Sequence, residues 1–176
     1  MKRWCLWLLL FVVLAPGAVL LQMPARATQD KARGTNLVWY RFDEALTAAK
    51  ASKKPVLVDF YTDWCSWCKE MDTKTYGNTT VHGRLSKSFI LAKVNAESSK
   101  SLTVQGRTIT EAQLALALRV NTYPTTWFFD PQGKPILPLK GYVTAKDFDP
   151  VLEFVEGGWY ARTTFDRFLE KRKRGS

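Results

Sequence analysis

A run of apolar residues leads directly into two closely spaced cysteines, and this arrangement restricts the possible folds more than any other feature of the chain. Residues 56–61 (VLVDFY) are rich in β-branched and aromatic side chains, as in a strand buried on both faces. Cys65 and Cys68 follow, and helix-forming residues continue to about Lys74. The sequence therefore predicts a buried strand followed by a helix that begins at the cysteine pair.

The placement of the cysteines predicts redox chemistry. At a helix N-terminus, Cys65 would face unpaired backbone N–H groups and the positive end of the helix dipole, which lower the pKa of a thiol. Cys68 lies one turn further on, where its thiolate could attack a mixed disulfide on Cys65 and release the product. Asp59 interrupts the apolar strand, and it is a candidate functional residue because burying an unpaired carboxylate is costly.

The N-terminus has the composition of a secretory signal peptide. Lys2 and Arg3 precede an uncharged run, residues 4–21, and a small-x-small cleavage sequence ends at Ala27. We expect cleavage after Ala27 and a periplasmic or secreted product. An uncleaved membrane anchor is the alternative, because the uncharged run is nearly long enough to span a bilayer.

Export changes the interpretation of the cysteines. Cys5 would be removed with the signal, which leaves Cys65 and Cys68 of the three cysteines in the chain. Exported proteins usually carry disulfides between distant positions, whereas this short-range pair can stabilise very little, so its role is chemical. A zinc site needs further ligands, and the mature chain adds only His82; haem attachment needs a histidine where Lys69 stands. We therefore expect no metal and no cofactor.

The chain is basic, with a formal net charge of +10. Part of this charge lies in residues 171–174 (KRKR), which are interpreted as a solvated helix end and tail. No nucleic-acid-binding motif accompanies the run, so we expect no nucleic-acid partner. An acidic partner surface or membrane phospholipid could also attract it.

Hydrophobic periodicity and turn signals divide the remaining chain into alternating elements. Helices are predicted over residues 42–53, 80–88, 110–119, 145–155 and 163–171, with a distortion or late start near Pro150. Strands are predicted over residues 89–95, 125–129 and 134–139, and a loop or small hairpin over 97–108. This order predicts an α/β fold in which a mixed central β-sheet is flanked by helices on both faces. The expected organisation is a signal peptide (1–27), a linker (28–40), a folded domain (41–157) and a C-terminal helix with a basic tail (158–176).

Two motifs resemble those of the thioredoxin superfamily. Residues 58–69 (VDFYTDWCSWCK) resemble its active-site segment, in which an acid lies in the preceding strand and a Trp precedes the first cysteine. Residues 122–125 (TYPT) resemble its loop with a cis proline, which packs against the disulfide. The resemblance covers about residues 40–157 and implies a thioredoxin fold with thiol-disulfide oxidoreductase activity.

The resemblance also implies a role for each matching residue of the redox centre. Cys65 resembles the nucleophile and Cys68 the resolving thiol, and the two would form a redox-active disulfide. Asp59 resembles the buried acid that helps Cys68 lose its proton, which agrees with the upward pKa shift expected on burial. The alternative for Asp59 is a carboxylate that only caps a local backbone group.

Four further residues are expected to bind the substrate. Pro124 would hold the loop, and Tyr123 would offer backbone groups to an extended substrate segment, a form of strand addition. Trp64 and Trp67 are expected to form an apolar rim that receives partners. Core packing is the alternative for either Trp, because aromatic residues are common in both settings.

Among subgroups, the chain resembles SoxW-type periplasmic thioredoxins and the soluble C-terminal domain of the thiol:disulfide interchange protein DsbD. This implies an enzyme that reduces disulfides in exported proteins with electrons from a membrane thiol donor of the DsbD or CcdA type. We expect a monomer, because the sequence shows no dimerisation segment. The dipeptide Ser66-Trp67 is neither the Gly-Pro of cytosolic thioredoxin nor the Pro-His of the oxidant DsbA, and it leaves the direction of electron flow open. The alternatives are a disulfide-oxidising enzyme and a thiol-based copper chaperone or assembly factor without turnover.

Overall fold

The computed structural model describes residues 37–174, so the expected signal peptide and most of the expected linker lie outside the described residues. The strands are β1 (Trp39–Tyr40), β2 (Val56–Tyr61), β3 (Ile90–Asn95), β4 (Ser101–Val104), β5 (Arg107–Thr110), β6 (Thr125–Phe129) and β7 (Pro135–Lys140). The helices are α1 (Phe42–Ser52), α2 (Ser66–Glu70), α3 (Thr79–Ser88), α4 (Glu111–Ala117), α5 (Ala145–Glu156) and α6 (Phe165–Arg174). A π-helical segment (Met71–Tyr76) continues α2, and a 3₁₀ turn (Trp159–Ala161) precedes α6.

The central sheet has the strand order β1-β3-β2-β6-β7. Strands β1 and β3 run parallel to β2, whereas β6 is antiparallel to β2 and β7 is antiparallel to β6. The first five residues of β2 are buried, as its continuous apolar sequence predicts for a central strand. The predicted mixed sheet is confirmed, and β7, with its two prolines, lies at the edge of the sheet, as the sequence predicts.

Apolar side chains cover both faces of this sheet. On one face, Tyr76, Leu85 and Phe148 bring the π-helical segment, α3 and α5 into one buried cluster with β2. On the other face, Phe42 and Leu114 bring α1 and α4 into a second cluster. The chain therefore forms the expected three-layer α/β thioredoxin fold, with β2 between two cores.

The first strand was not predicted, because residues 39–40 were assigned to the linker. Trp39 and Tyr40 pair in parallel with Leu91 and Ala92 of β3, and Trp39 is buried. Two residues are too few to produce an alternating pattern in the sequence, so this strand depends on its tertiary partner.

The segment between β3 and β6 forms a small hairpin followed by a short helix. Strands β4 and β5 pair in antiparallel register, in agreement with the predicted loop or hairpin over 97–108. Thr110 caps α4 by accepting the N–H of Gln113, whose side chain in turn accepts the N–H of Thr110. This reciprocal pair is the capping box that the sequence predicts.

The helix after the cysteine pair changes type along its length. It begins as α2 and widens into the π-helical segment, which ends at Gly77. A Cβ atom at Gly77 would collide with the backbone oxygen of Thr73, so glycine is required where the wide turns close. The sequence predicts this helix to about Lys74 but not its widening, a distortion that is frequent at functional sites.

Helices α5 and α6 complete the C-terminal part. Helix α5 starts at Ala145 with a cap from Thr144 and continues through Pro150, which confirms the predicted helix and excludes a late start, one of the two alternatives expected near Pro150. Phe168 of α6 is buried and its ring lies 5.4 Å from that of Phe154 in α5. The added C-terminal helix is thus packed onto the domain.

No helix within residues 37–174 combines the length and the apolar character needed to cross a membrane.

Candidate active site

The two cysteines form a disulfide at the start of α2. The S–S distance is 2.04 Å and the Cα atoms are 5.3 Å apart. Cys65 is the N-cap residue of α2, and its Sγ accepts a hydrogen bond of 3.1 Å from the backbone N–H of Cys68. Cys65 is therefore at the predicted helix N-terminus, where the N–H group and the helix dipole would stabilise a thiolate after reduction.

The side chains around the disulfide cover it almost completely, since Cys65 and Cys68 are each 4% exposed. Trp64 and Trp67, by contrast, are 67% and 59% exposed. Core packing is thus excluded as the role of either Trp. The two indoles form an exposed apolar rim next to a nearly covered disulfide, which is the arrangement expected for a surface that receives partners.

Tertiary contacts hold both indoles of the rim in place. The Nε1–H of Trp64 donates to the carboxylate of Glu97 at 3.0 Å. The rings of Trp64 and Tyr123 form a T-shaped pair with a centroid distance of 5.9 Å. The ring of Trp67 packs on Tyr142 at a centroid distance of 5.4 Å. Glu97 and Tyr142 were not predicted as site residues, because they come from loops far from the cysteines in sequence.

The proline loop lies at the beginning of β6. The Tyr123–Pro124 peptide bond is cis, and Pro124 is buried. The carbonyl of Pro124 accepts a hydrogen bond of 2.8 Å from the N–H of Gly141, whose φ of +81° is unfavourable for residues with a side chain. The loop therefore brings Tyr123 against Trp64, so the two predicted substrate-binding segments are joined at one surface.

Asp59 lies in the centre of the sheet and is 1% exposed. Its register partners are Lys93 in β3 and Thr126 in β6, so one residue on each neighbouring strand stands directly beside it. Lys93 Nζ is 3.5 Å from Asp59 Oδ2, and the Tyr76 hydroxyl donates to Asp59 Oδ1 at 3.3 Å. Within residues 37–174, Asp59 is paired with two side chains, by a hydrogen bond from Tyr76 and an ion pair with Lys93, which argues against the backbone-capping alternative.

Burial dominates the acid–base behaviour of Asp59. Loss of solvation raises its pKa to about 6, and the charge of Asp72 acts in the same direction. The charge of Lys93 and the hydrogen bonds from Lys93 and Tyr76 oppose this rise. A carboxyl group with a pKa near neutrality can both take up and return a proton at physiological pH, as a general base requires.

Lys93 joins Asp59 to a second carboxylate. Its ammonium group lies 2.7 Å from both oxygens of Asp72 and 4.9 Å from the centre of the Trp39 ring. Burial lowers the pKa of Lys93, but the charges of Asp59 and Asp72 outweigh that effect and hold it above its ordinary value. The site thus places one ammonium between two carboxylates.

Lys93, Asp72 and Tyr76 were missed by sequence reasoning. The available signal was a lysine in the largely apolar strand 89–95, since a neighbouring predicted strand carries one acid. A search for a partner of that acid could have found Lys93. Asp72 and Tyr76 come from the π-helical segment, whose widened turns no sequence pattern indicated. Among residues 37–174, no group of three or more His, Cys, Asp and Glu side chains is arranged to hold a metal ion.

Comparisons with known proteins agree with this geometry. Residues 42–156 match a family model described as a thioredoxin-like domain. The chain is 35% identical over 107 residues to the thiol:disulfide interchange protein DsbD of Vibrio vulnificus, a match that covers 60% of this chain and 16% of that protein. The DsbD of Ralstonia nicotianae is 36% identical over 110 residues, with the same coverage of 60% and 16%. The chain therefore spans about a sixth of the length of these relatives.

Solved structures give the same fold. A thioredoxin-fold protein from Helicobacter pylori has a TM-score of 0.58 at 26% identity, over 70% of this chain and 82% of that chain. A thioredoxin from Thermus thermophilus has a TM-score of 0.56 at 28% identity, over 68% and 86% of the two chains. A structure described as DsbH oxidoreductase has a TM-score of 0.53 at 22% identity, over 80% and 95%, a likeness of fold alone.

Proposed function

The chain belongs to the thioredoxin-like domain family, and we propose that it is a periplasmic thiol-disulfide oxidoreductase that reduces disulfides in exported proteins. The observation that carries the proposal is the Cys65–Cys68 pair at the N-terminus of α2. The strand that precedes this pair carries the buried Asp59, whose pKa of about 6 is close to neutrality. A helix N-terminus activates the first thiol, and a base with such a pKa can deprotonate the second.

The proposed reaction consists of two exchanges. The Cys65 thiolate attacks a substrate disulfide, so that a mixed disulfide forms and one substrate sulfur leaves as a thiolate. Asp59 then takes the proton of Cys68, whose thiolate attacks the Cys65 sulfur and displaces the second substrate sulfur. The substrate gains two electrons, and the enzyme dithiol is oxidised to the Cys65–Cys68 disulfide.

Substrate binding is assigned to the rim and the proline loop. Trp64 and Trp67 would contact apolar side chains near the substrate cysteine. Pro124 would hold the loop, and Tyr123, just before β6, would offer backbone groups to an extended substrate segment. This assignment is supported by the exposure of both indoles and by the contact between Trp64 and Tyr123.

The reductive direction and the partners are part of the proposal. The curated relatives are named thiol:disulfide interchange proteins, which fits exchange with a membrane thiol donor of the DsbD or CcdA type as the source of electrons. No histidine lies between the cysteines to stabilise the Cys65 thiolate further, and less stabilisation favours a reducing couple. An exported location would follow from a signal peptide cleaved after Ala27, or from membrane anchoring if the signal is retained.

Insulin reduction and partner trapping test this function. With dithiothreitol as the source of electrons, the protein is expected to catalyse insulin reduction and precipitation, and Cys65→Ser is expected to abolish this catalysis. Cys68→Ser should retain mixed disulfides on Cys65, and mass spectrometry of the trapped species would identify the substrates.

Two further measurements could refute parts of the proposal. A redox potential above about −150 mV would refute the reductive direction in favour of an oxidase. Tight Cu(I) binding with no disulfide exchange would refute the enzyme and favour a copper chaperone.

A further inference from the structure

A pair of buried hydroxyl groups lies beside Asp59. Tyr76 is fully buried, and its hydroxyl oxygen is 3.3 Å from Asp59 Oδ1 and 3.0 Å from the hydroxyl of Thr126. Thr126 is 1% exposed and stands opposite Asp59 in the register of β2 and β6. The three groups therefore form a short hydrogen-bonded chain that starts at the candidate base.

The proton count of this chain fixes its direction when Asp59 is ionised. A carboxylate only accepts hydrogen bonds, so Tyr76 must donate to it, and the phenol oxygen is then left to accept from the hydroxyl of Thr126. Burial raises the pKa of Tyr76 well above its ordinary value, and the charge of Asp59 adds to this, so the phenol keeps its proton. Tyr76 is thus a permanent donor to the ionised carboxylate.

The same chain can reverse when Asp59 takes up a proton. A protonated carboxyl group is a donor, and the Tyr76 oxygen can accept from it while the Tyr76 hydroxyl turns toward the oxygen of Thr126. Both protonation states of Asp59 would then keep a satisfied partner without any movement of the backbone. Since an unsatisfied buried polar group is costly, such a partner prevents that cost in both protonation states of Asp59.

We propose that Tyr76, supported by Thr126, is a positioning residue that lets the buried Asp59 alternate between its charged and protonated forms during the Cys68 step. The inference rests on the proposed function, in which Asp59 accepts the Cys68 proton and the Cys68 thiolate then displaces the substrate thiolate from Cys65. Tyr76 transfers no proton to the substrate; it orients and stabilises the group that does.

Two other charged groups near Asp59, Lys93 and Asp72, also affect its pKa. Lys93 in β3 favours the carboxylate, and Asp72 in the π-helical segment disfavours it. Tyr76 comes from the same segment as Asp72, and the hydrogen bond that it donates opposes the effect of that charge. Loss of the hydroxyl is therefore expected to leave Asp59 protonated up to a higher pH.

Tyr76→Phe tests this role because it removes the hydroxyl and keeps the ring, which packs at 5.5 Å on Trp39 and at 5.7 Å on Phe148. The reduced protein is mixed in a stopped-flow instrument with 5,5′-dithiobis(2-nitrobenzoate), whose two phases report attack by Cys65 and resolution by Cys68. Cys68→Ser identifies the second phase by its loss. The midpoint of the pH profile of the second phase is expected to move up by about one pH unit, the size expected for one lost hydrogen bond to a carboxylate.

Three controls separate this role from a structural one. Thr126→Val should move the midpoint in the same direction by less, and Tyr160→Phe, which removes a hydroxyl outside the site, should not move it. In an Asp59→Asn background, Tyr76→Phe should have no further effect on the profile. Carbon NMR of the Asp59 carboxyl group in the reduced protein should give the same upward shift of its pKa.

The possible failures are distinguishable. If Asp59→Asn changes the profile of the second phase but Tyr76→Phe changes neither the profile nor the Asp59 pKa, the positioning role of Tyr76 is refuted. The assignment of Asp59 as the base for Cys68 is then retained. If Asp59→Asn leaves the second phase unchanged, the assignment of Asp59 in the proposed function fails, and the inference fails with it. If Tyr76→Phe is poorly folded, the test is made on Thr126→Val alone. An upward shift of the Asp59 pKa in Thr126→Val would support the positioning role, and an unchanged pKa would refute it.

Discussion

Asp59 of β2 and Lys93 of β3 are register partners in the central sheet, with the ammonium nitrogen 3.5 Å from a carboxylate oxygen. The pair is not isolated, because Lys93 also binds Asp72 through two contacts of 2.7 Å. One positive charge is thus shared between two acids in a buried place, where charges are weakly screened. Burial raises the pKa of Asp59 above its ordinary value in spite of the neighbouring lysine, and the charge of Asp72 adds to this rise.

The first prediction concerns stability as a function of pH in Asp59→Asn. Folding raises the pKa of Asp59 from about 3.8 to about 6, so the folded state binds the proton more tightly than the unfolded state. Wild-type stability from this group is complete below about pH 4 and is lost as the pH rises through 6. Asparagine does not titrate, so the free energy of unfolding of the variant, relative to wild type, should increase by up to about 3 kcal/mol between pH 4 and pH 8.

Urea unfolding at several pH values measures this difference. Asp63→Asn, at an exposed acid next to the cysteine motif, is the matched control for an acid-to-amide substitution. A constant difference for Asp59→Asn would mean that Asp59 has an ordinary pKa in the folded protein.

The second prediction concerns Lys93→Met. The methionine keeps much of the buried aliphatic volume but leaves Asp59 and Asp72 without their shared cation, and breaking a buried ion pair costs about 3–5 kcal/mol. Because protonation of Asp59 removes one of the uncompensated charges, the loss of stability should be larger at pH 8 than at pH 5. Thermal unfolding at the two pH values checks this, with Lys87→Met at an exposed position as the control.

The parts of the site that the sequence predicts are those that local patterns encode. The apolar run before Cys65 predicts β2, and the spacing of Cys65 and Cys68 predicts the helix start, since both follow from neighbouring residues. The capping box at Thr110 is of the same kind. Each of these features is in the structure at the predicted place.

The parts that were missed depend on tertiary contacts. Lys93, Tyr76 and Thr126 approach Asp59 from three different elements, and their meeting requires the register of the assembled sheet. Tyr142 reaches Trp67 from beyond the last strand of the sheet. No local periodicity encodes such contacts, and the short strand β1 escaped prediction for the same reason.

The third prediction concerns the rim. Trp67→Ala removes the indole that packs on Tyr142, and truncation of an aromatic residue at a binding surface commonly costs more than 1 kcal/mol. We expect kcat/KM for insulin to fall about tenfold while the rate with 5,5′-dithiobis(2-nitrobenzoate) stays near wild type, because the small reagent does not need the rim. Leu116→Ala, at an exposed apolar position in α4, is the control. Equal losses with both substrates would mean that Trp67 acts on the cysteines and not on substrate binding.

The last prediction concerns the C-terminal helix, which lies beyond the matched residues 42–156. Phe168 of α6 is 3% exposed, and its ring lies 5.4 Å from Phe154 and 5.6 Å from Trp159. Phe168→Ala should lower the free energy of unfolding by about 3 kcal/mol, as expected when a buried aromatic residue is truncated. Denaturant unfolding followed by Trp fluorescence measures the loss, and Arg167→Ala on the exposed side of α6 should change it little.

Disulfide exchange provides the second half of this test. Helix α6 packs on α5 and on the 3₁₀ turn, and neither of these elements contributes a residue to the cysteine pair or the rim. The folded Phe168→Ala protein should therefore exchange disulfides at the wild-type rate below its unfolding transition. Loss of exchange in the fully folded variant would show that α6 influences the redox centre, whereas unchanged stability would show that α6 is only loosely attached to the domain.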